Sequence, residues 1–334
     1  MQCKSLALTL SIALAIFSGC STKEYYEPVV ETGDWEISAQ LKSHIVDRNY
    51  DGAVLGNGDI ITREGLLKVK LPKDYRFVSH SGGWIIASKI DGELLLIDEA
   101  IPKLQQKFEL KKTIAGASVQ GDILAVLFAS NEKALYSIQS KELIFKAQGN
   151  PPSAVDSRIV NPYFLNELVL FLTLDGKIDI ISSESKKLLR SMIVSSQEHF
   201  NNIIYFNVIN NNMFAATSYR LISLGDKEMR QSYELRDILF DKDGVWLSTK
   251  QGEVYSLTPS LQLKAKKKFP FAHFLGMIVA KEKIYLLESQ GFLIEIDKDL
   301  IDYKVYEVDI RDGYVFVSDT SFFFDDAYID ITKK

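Results

Sequence analysis

An all-β β-propeller, in its simplest count of seven blades, is the fold that this 334-residue sequence predicts. Three observations predict it. Short apolar strands recur in pairs around polar or glycine-marked turns, and the turns repeat about every 39 residues. The apolar stretches are continuous or alternating, and too often broken by glycine for helices of normal length. A period that wobbles by a few residues is what propeller blades with variable outer loops produce.

The first twenty residues stand apart. Lys4 is the only charge before Lys23, and residues 6–17 form an uncharged, mostly Leu, Ala and Ile run. That is a signal-peptide h-region, well short of the ~20 apolar residues a membrane span needs. The run ends in Phe17-Ser18-Gly19-Cys20, which resembles the lipobox of bacterial lipoproteins. The resemblance implies cleavage between Gly19 and Cys20, lipid (diacylglycerol and palmitate) on the Cys20 thiol, and a membrane reached through that anchor. Cys3 leaves with the signal, so Cys20 has no thiol to pair with in its own chain. In such lipoproteins Asp after the modified cysteine retains the protein in the inner membrane. Ser21 stands there, which implies the inner leaflet of the outer membrane, facing the periplasm. Residues 1–19 are thus read as the signal, polar residues 20–34 as a flexible tether, and 35–334 as one propeller domain.

The clearest strand pairs, in order, are Trp84-Ile85-Ile86-Ala87 with the strand after Asp91-Gly92; residues 168–174 with the strand after Asp175-Gly176; Val245-Trp246-Leu247-Ser248 with the strand after Gln251-Gly252; and residues 284–287 with the strand after Gln290-Gly291. Weaker pairs turn at Asn131-Glu132-Lys133, near Tyr219, and at Asp325-Asp326. Prolines such as Pro151, Pro152 and Pro162 fall between the pairs, where no strand interior must accept them. Residues 53–62 and 66–71 form one more hairpin around Glu64-Gly65, only 27 residues before Gly92. Ring closure accommodates it: these strands would complete the blade begun by residues 313–332, removing open sheet edges. Counting that hairpin as a blade of its own gives eight, the alternative.

Residues 91–98, 175–187 and 251–264 resemble the repeats of quinoprotein-like propellers, whose blades carry a D-G-x-L-x-A-L-D core. Lipid-anchored BamB-like propellers of the outer-membrane β-barrel assembly machinery belong to that family. The resemblance covers most of the mature chain and implies a scaffold offering loops or a strand edge to a protein partner. Quinoprotein dehydrogenases of this fold need calcium ligands and usually a vicinal disulfide, which the mature chain cannot form, so no cofactor is expected.

Chemistry is marked mainly by omission. The net charge of −5 lacks the basic balance of a nucleic-acid binder. None of His44, His80, His199 and His273 has a partner at metal-ligand spacing, and no G-x-S-x-G, P-loop or dinucleotide fingerprint occurs. No catalytic or metal-binding residue is therefore named. Asp241-Lys242-Asp243-Gly244 begins like a calcium loop but has Val245 and Gly252 where acidic ligands belong, and reads as a turn. Lys264-Ala265-Lys266-Lys267-Lys268 reads as an exposed outer strand, and Phe322-Phe323-Phe324 as core.

The expected function is a protein-binding scaffold in the cell envelope. An accessory or sensor protein of a periplasmic enzyme or redox system is one alternative, and a hydrolase or lyase with its site at the channel mouth another. Two long irregular connections, 148–162 and 195–202, are the predicted contact loops, with Asn150, Pro151, Asp156, Arg158, Gln197, Glu198 and His199 the candidate residues.

Overall fold

The computed structural model describes residues 24–333 except 226, 242 and 281. The predicted signal, Gly19 and Cys20 lie outside the described residues. The described chain folds into a ring of eight antiparallel sheets. Blades one to seven span residues 45–70, 76–109, 114–148, 163–193, 205–232, 235–268 and 274–307; blade eight is built from 315–330 with 39–40. Seven blades is therefore corrected to eight. The hairpin assigned to ring closure belongs to a complete blade one, with strands Ile45–Arg48, Gly52–Leu55, Asp59–Thr62 and Gly65–Lys70. Its turn corresponding to Gly92 is Asn57-Gly58, 34 residues upstream, and not Glu64-Gly65, which joins the two outer strands.

The recurring glycine has a physical cause. It sits in the turn between the second and third strands of its blade with positive φ: 86° at Gly58, 91° at Gly92, 81° at Gly176, 73° at Gly252 and 90° at Gly291. Its carbonyl accepts a hydrogen bond from the residue leaving the outer strand, as in Leu110 N–H to Gly92 (3.1 Å) and Phe269 N–H to Gly252 (2.8 Å). A Cβ on Gly92 would lie 2.3 Å from the backbone nitrogen of Lys112. The turn and the exit from the blade are pinned together. Asn131 (φ 64°) and Tyr219 supply the same carbonyl, to Gly149 and Tyr233, where the glycine is missing.

Both ends of the described chain meet in blade eight. Ala39–Gln40 pairs antiparallel with Tyr328 and Ala327 as its outermost strand, while Val315–Val317, Ser321–Phe324 and Ala327–Asp330 supply the inner three. Phe322 and Phe324 are fully buried there, as the core reading expects. Residues 24–34 depart from the tether reading. Gly33–Asp34 adds a parallel fifth strand to blade seven beside Tyr306 and Glu307, and Tyr26 is buried edge-on to Phe269 and Phe292. An aromatic ring and two backbone pairings outweigh the polar composition that suggested a free segment.

The core lies between blades. Trp246 of blade six packs with Phe274, Met277 and Ile284 of blade seven, and its indole N–H donates to the carbonyl of Lys298 (3.1 Å). Ala125 and Leu135 of blade three meet Val169 and Phe171 of blade four. Each apolar face is buried by the neighbouring sheet at ~25 cal/mol per Å², so no single blade is stable alone. The lysine run is the outer strand Leu263–Lys268 of blade six, with Lys266 paired to Glu253 (2.8 Å).

Candidate functional site

Four-stranded blades that run up and down put the links between blades and the turns between second and third strands at one end of the ring. At that face the axial channel opens as a funnel of about 430 Å³. Val155, Asp156, Ser157 and Arg158 enter it from the link between blades three and four, and Phe200 from the link between blades four and five. Tyr219 and Lys250 come from turns of blades five and six, and Arg236 and Asp237 from the inner strand of blade six. Arg48, Tyr50 and Arg63 of blade one complete the lining. Asn49 ties the turn that carries Arg48 and Tyr50 into the channel by donating to the carbonyls of Phe77 (2.8 Å) and Val78 (2.9 Å). Arg63 comes from the separate turn between the last two strands of the blade.

The two predicted loops do come together on this face, joined by side chain and backbone. Ser153 Oγ donates to the Glu198 carbonyl (2.6 Å) and lies 2.9 Å from His199 Nδ1. Phe200 N–H donates to the Ala154 carbonyl (3.0 Å), and Asp156 N–H to Asn202 Oδ1 (2.7 Å). Asn202 Nδ2 returns a bond to the Asp156 carbonyl (3.1 Å). Asn150 is tied back to blade three, its carbonyl accepting from Asn131 Nδ2 (2.8 Å), and Pro151 is exposed beside it. Gln197 N–H donates to Asn201 Oδ1 (3.3 Å). Of the seven candidates, Asp156 and Arg158 reach the funnel; Asn150, Pro151, Gln197, Glu198 and His199 frame it without lining it.

Charge is distributed unevenly here. Arg158 pairs with Asp156 (2.5 Å) and donates through Nη1 to the Arg236 carbonyl (2.6 Å). Burial works against the Asp156 charge, but bonds from Arg158 and Ser218 hold its carboxyl well below the usual carboxylate range. Arg48, Arg63, Arg236 and Lys250 have no such partner: among the described residues, no carboxylate oxygen lies within 4.0 Å of their charged nitrogens. Arg236 donates to the Phe274 carbonyl (2.5 Å), and its guanidinium is pushed below its ordinary range by burial and then by the neighbouring cations Arg158 and Arg48. Deeper in, Arg63 stacks on Tyr50 (4.6 Å), its Nε buried without a hydrogen-bond partner. Asp237 accepts from the backbone N–H groups of Ile238 (2.8 Å) and Met277 (3.0 Å), yet burial raises its carboxyl. Asp51, bonded by Asn161 Nδ2 (2.8 Å), is pushed up to about 6 by burial.

Apart from Arg158, the cationic lining was not named from sequence. One signal was available: Leu235-Arg236-Asp237-Ile238-Leu239 places two charges inside an apolar strand. The structure puts a β-bulge there, which turns the charged pair toward the axis. Arg48, Arg63 and Lys250 lie in or beside turns, where charge is ordinary, and nothing local marks them. The Asp241 turn is as expected, with Asp241 Oδ1 accepting from the N–H groups of Asp243 (2.6 Å) and Gly244 (3.2 Å). No cluster of three or more His, Cys, Asp or Glu side chains with metal-binding geometry occurs among the described residues.

Ring, funnel and loops define an eight-bladed β-propeller with a cationic axial mouth. No protein-family model matches the chain. It is 29% identical, over 93% of its length, to the plasminogen-binding protein PgbB of two Helicobacter pylori strains, and spans 66% of the length of those relatives. In fold it is similar to BamB from Moraxella catarrhalis, with a TM-score of 0.66 at 14% identity, over 87% of this chain and 99% of that one. The C-terminal WD40 domain of Sif2 superimposes with a TM-score of 0.63 at 12% identity, over 91% of this chain and 99% of the domain. The resemblance to BamB-like propellers holds at the level of fold.

Proposed function

We propose that this propeller is a protein-binding module of the bacterial cell envelope, and that it docks its partner through the face bearing the funnel. The observation that carries this is the pairing of exposed apolar side chains with fixed loops. Val155 and Phe200 are 37% and 44% exposed at the rim, on two connections already bonded to each other. Loops ordered before binding lose little entropy when a partner arrives. Aromatic and arginine side chains clustered at a rim are also the composition of interface hot spots.

Cys20 would carry the lipid that holds the module on the outer membrane, facing the periplasm. Two partners follow from the relatives. The name of the Helicobacter proteins makes plasminogen the first to test. The fold of BamB supports a second reading, a scaffold for outer-membrane protein assembly, in which the same face receives an envelope protein. Titrating purified full-length protein against immobilised plasminogen, and against assembly-machinery subunits, decides between them. Saturable binding lost in a Val155→Ser, Phe200→Ser variant of unchanged melting temperature is the expected result. Binding that survives in that variant would show that the partner docks elsewhere.

A further inference from the structure

We infer that the funnel mouth is a carboxylate-binding site, formed by Arg48, Arg236 and Lys250 with Arg63 behind them, and that it takes ligands bearing several carboxylates. It rests on the docking reading only in using the same face. The first support is electrostatic balance. Five cationic side chains line the funnel against two carboxylates, Asp156 and Asp237, in a chain whose overall charge is −5. Asp156 is committed to Arg158, and Asp237 to two backbone N–H groups. Arg63 lies among Asp51, Asp237 and Asp319, which favour its charge, whereas Arg48, Arg236 and Lys250 face shared space with no carboxylate oxygen within 4.0 Å among the described residues.

The second support is crowding. Arg158 is bonded to the backbone of Arg236, and with Arg48 it disfavours the Arg236 charge. Three guanidinium groups are brought together from blade one, blade six and the link between blades three and four, and Asp237 and Asp156 offset their repulsion only in part. That repulsion is relieved on binding, which favours the occupied state.

Geometry selects the class of anion. The cations stand on different blades, so they match several singly charged groups set apart rather than one compact dianion. Planar guanidinium groups bond carboxylates and phosphates alike through two parallel N–H donors, so the selection rests on the spacing of the cations. The volume of about 430 Å³ admits a small polycarboxylate or the acidic side chains of an inserted peptide segment. Both sources share one chemistry.

The test is calorimetric titration of the full-length protein at fixed ionic strength with citrate, a Glu- and Asp-rich hexapeptide, acetate and inorganic phosphate. Saturable binding of citrate or the peptide, at least tenfold tighter than acetate or phosphate, is expected. An Arg48→Gln, Arg236→Gln variant with an unchanged melting temperature should lose that binding at least tenfold. Citrate binding without peptide binding assigns the site to a free metabolite, and the reverse to an inserted segment. No saturation, equal affinity for phosphate, or full affinity in the variant would overturn the inference. The docking reading is scored separately by the Val155→Ser, Phe200→Ser variant, so either can fail while the other stands.

Discussion

Two polar regions of this molecule treat charge in opposite ways. Between blades three and four, Lys133 and Asp179 are buried at 5% and 6% side-chain exposure, 2.5 Å apart, and Ser191 Oγ donates to the second carboxylate oxygen (2.6 Å). Beside them Asn131 joins Asp175, Asn150 and Leu174, so this interface is closed with its main polar groups matched. At the funnel, a comparable number of charges is left open, with Arg48, Arg236 and Lys250 facing the cavity unpaired. Folding accounts for the first region and not for the second. A fold gains nothing from unpaired like charges gathered in one cavity, so the funnel is where a ligand or partner would complete the structure.

The largest expected effect belongs to the matched region. Lys133→Ala leaves Asp179 buried without its cation and should lower stability by about 3–5 kcal/mol. Denaturant unfolding reads this directly. A loss below about 1 kcal/mol would show that the interface is not dry and that it differs less from the funnel than its burial suggests. Next in size is Tyr26→Ala. It removes a buried ring at the outer edge of blade seven and should cost about 3–4 kcal/mol, with the ring of blades intact. Hydrogen exchange should rise along residues 303–307 alone; exchange rising throughout would mean that the N-terminal segment holds the whole ring together.

A smaller effect distinguishes the funnel by its pH dependence. Burial raises the Asp51 carboxyl from its ordinary value near 4 to about 6, opposed by Arg63, Asn161 and His80. The folded state therefore holds this proton more firmly than the unfolded chain. Its contribution is complete below about pH 4 and is lost as pH rises through about 6. Asp51→Asn keeps an acceptor for Asn161 and carries no charge. It should be more stable than the parent at pH 8, by up to about 3 kcal/mol, and equal to it near pH 4. Equal stability at both pH values would show that Asp51 is well solvated and that the funnel is wetter than its lining implies.

The blades were legible because their signal is local. A turn glycine must adopt positive φ and let the next link pass within hydrogen-bonding distance, so Gly92, Gly176, Gly252 and Gly291 mark the period in the chain itself. The blade count went astray where two glycines compete: Gly58 and Gly65 both turn the chain, and only the structure shows which one lies between the second and third strands. The contact loops were legible as proline-rich or polar interruptions. Their joining through Ser153, Asp156 and Asn202 depends on blade geometry and could not be read from spacing. The cationic mouth was the least legible part. Its residues lie as far apart as Arg48 and Lys250, and apart from Arg158 and the charged pair Arg236-Asp237 in an apolar strand, none is marked until the ring closes.

If the funnel face, and not the outer edge of the ring, engages a protein, the two surfaces must differ in the cell. Site-specific photo-crosslinking in the producing cells compares them, with the reactive side chain placed at Phe200 on the rim or at Leu263 on the outer strand of blade six, both exposed. One discrete protein adduct is expected from position 200, absent when Val155 is also changed to Ser, and none from position 263. An adduct from position 263 with none from position 200 would place the partner on the outer edge and contradict docking at the funnel.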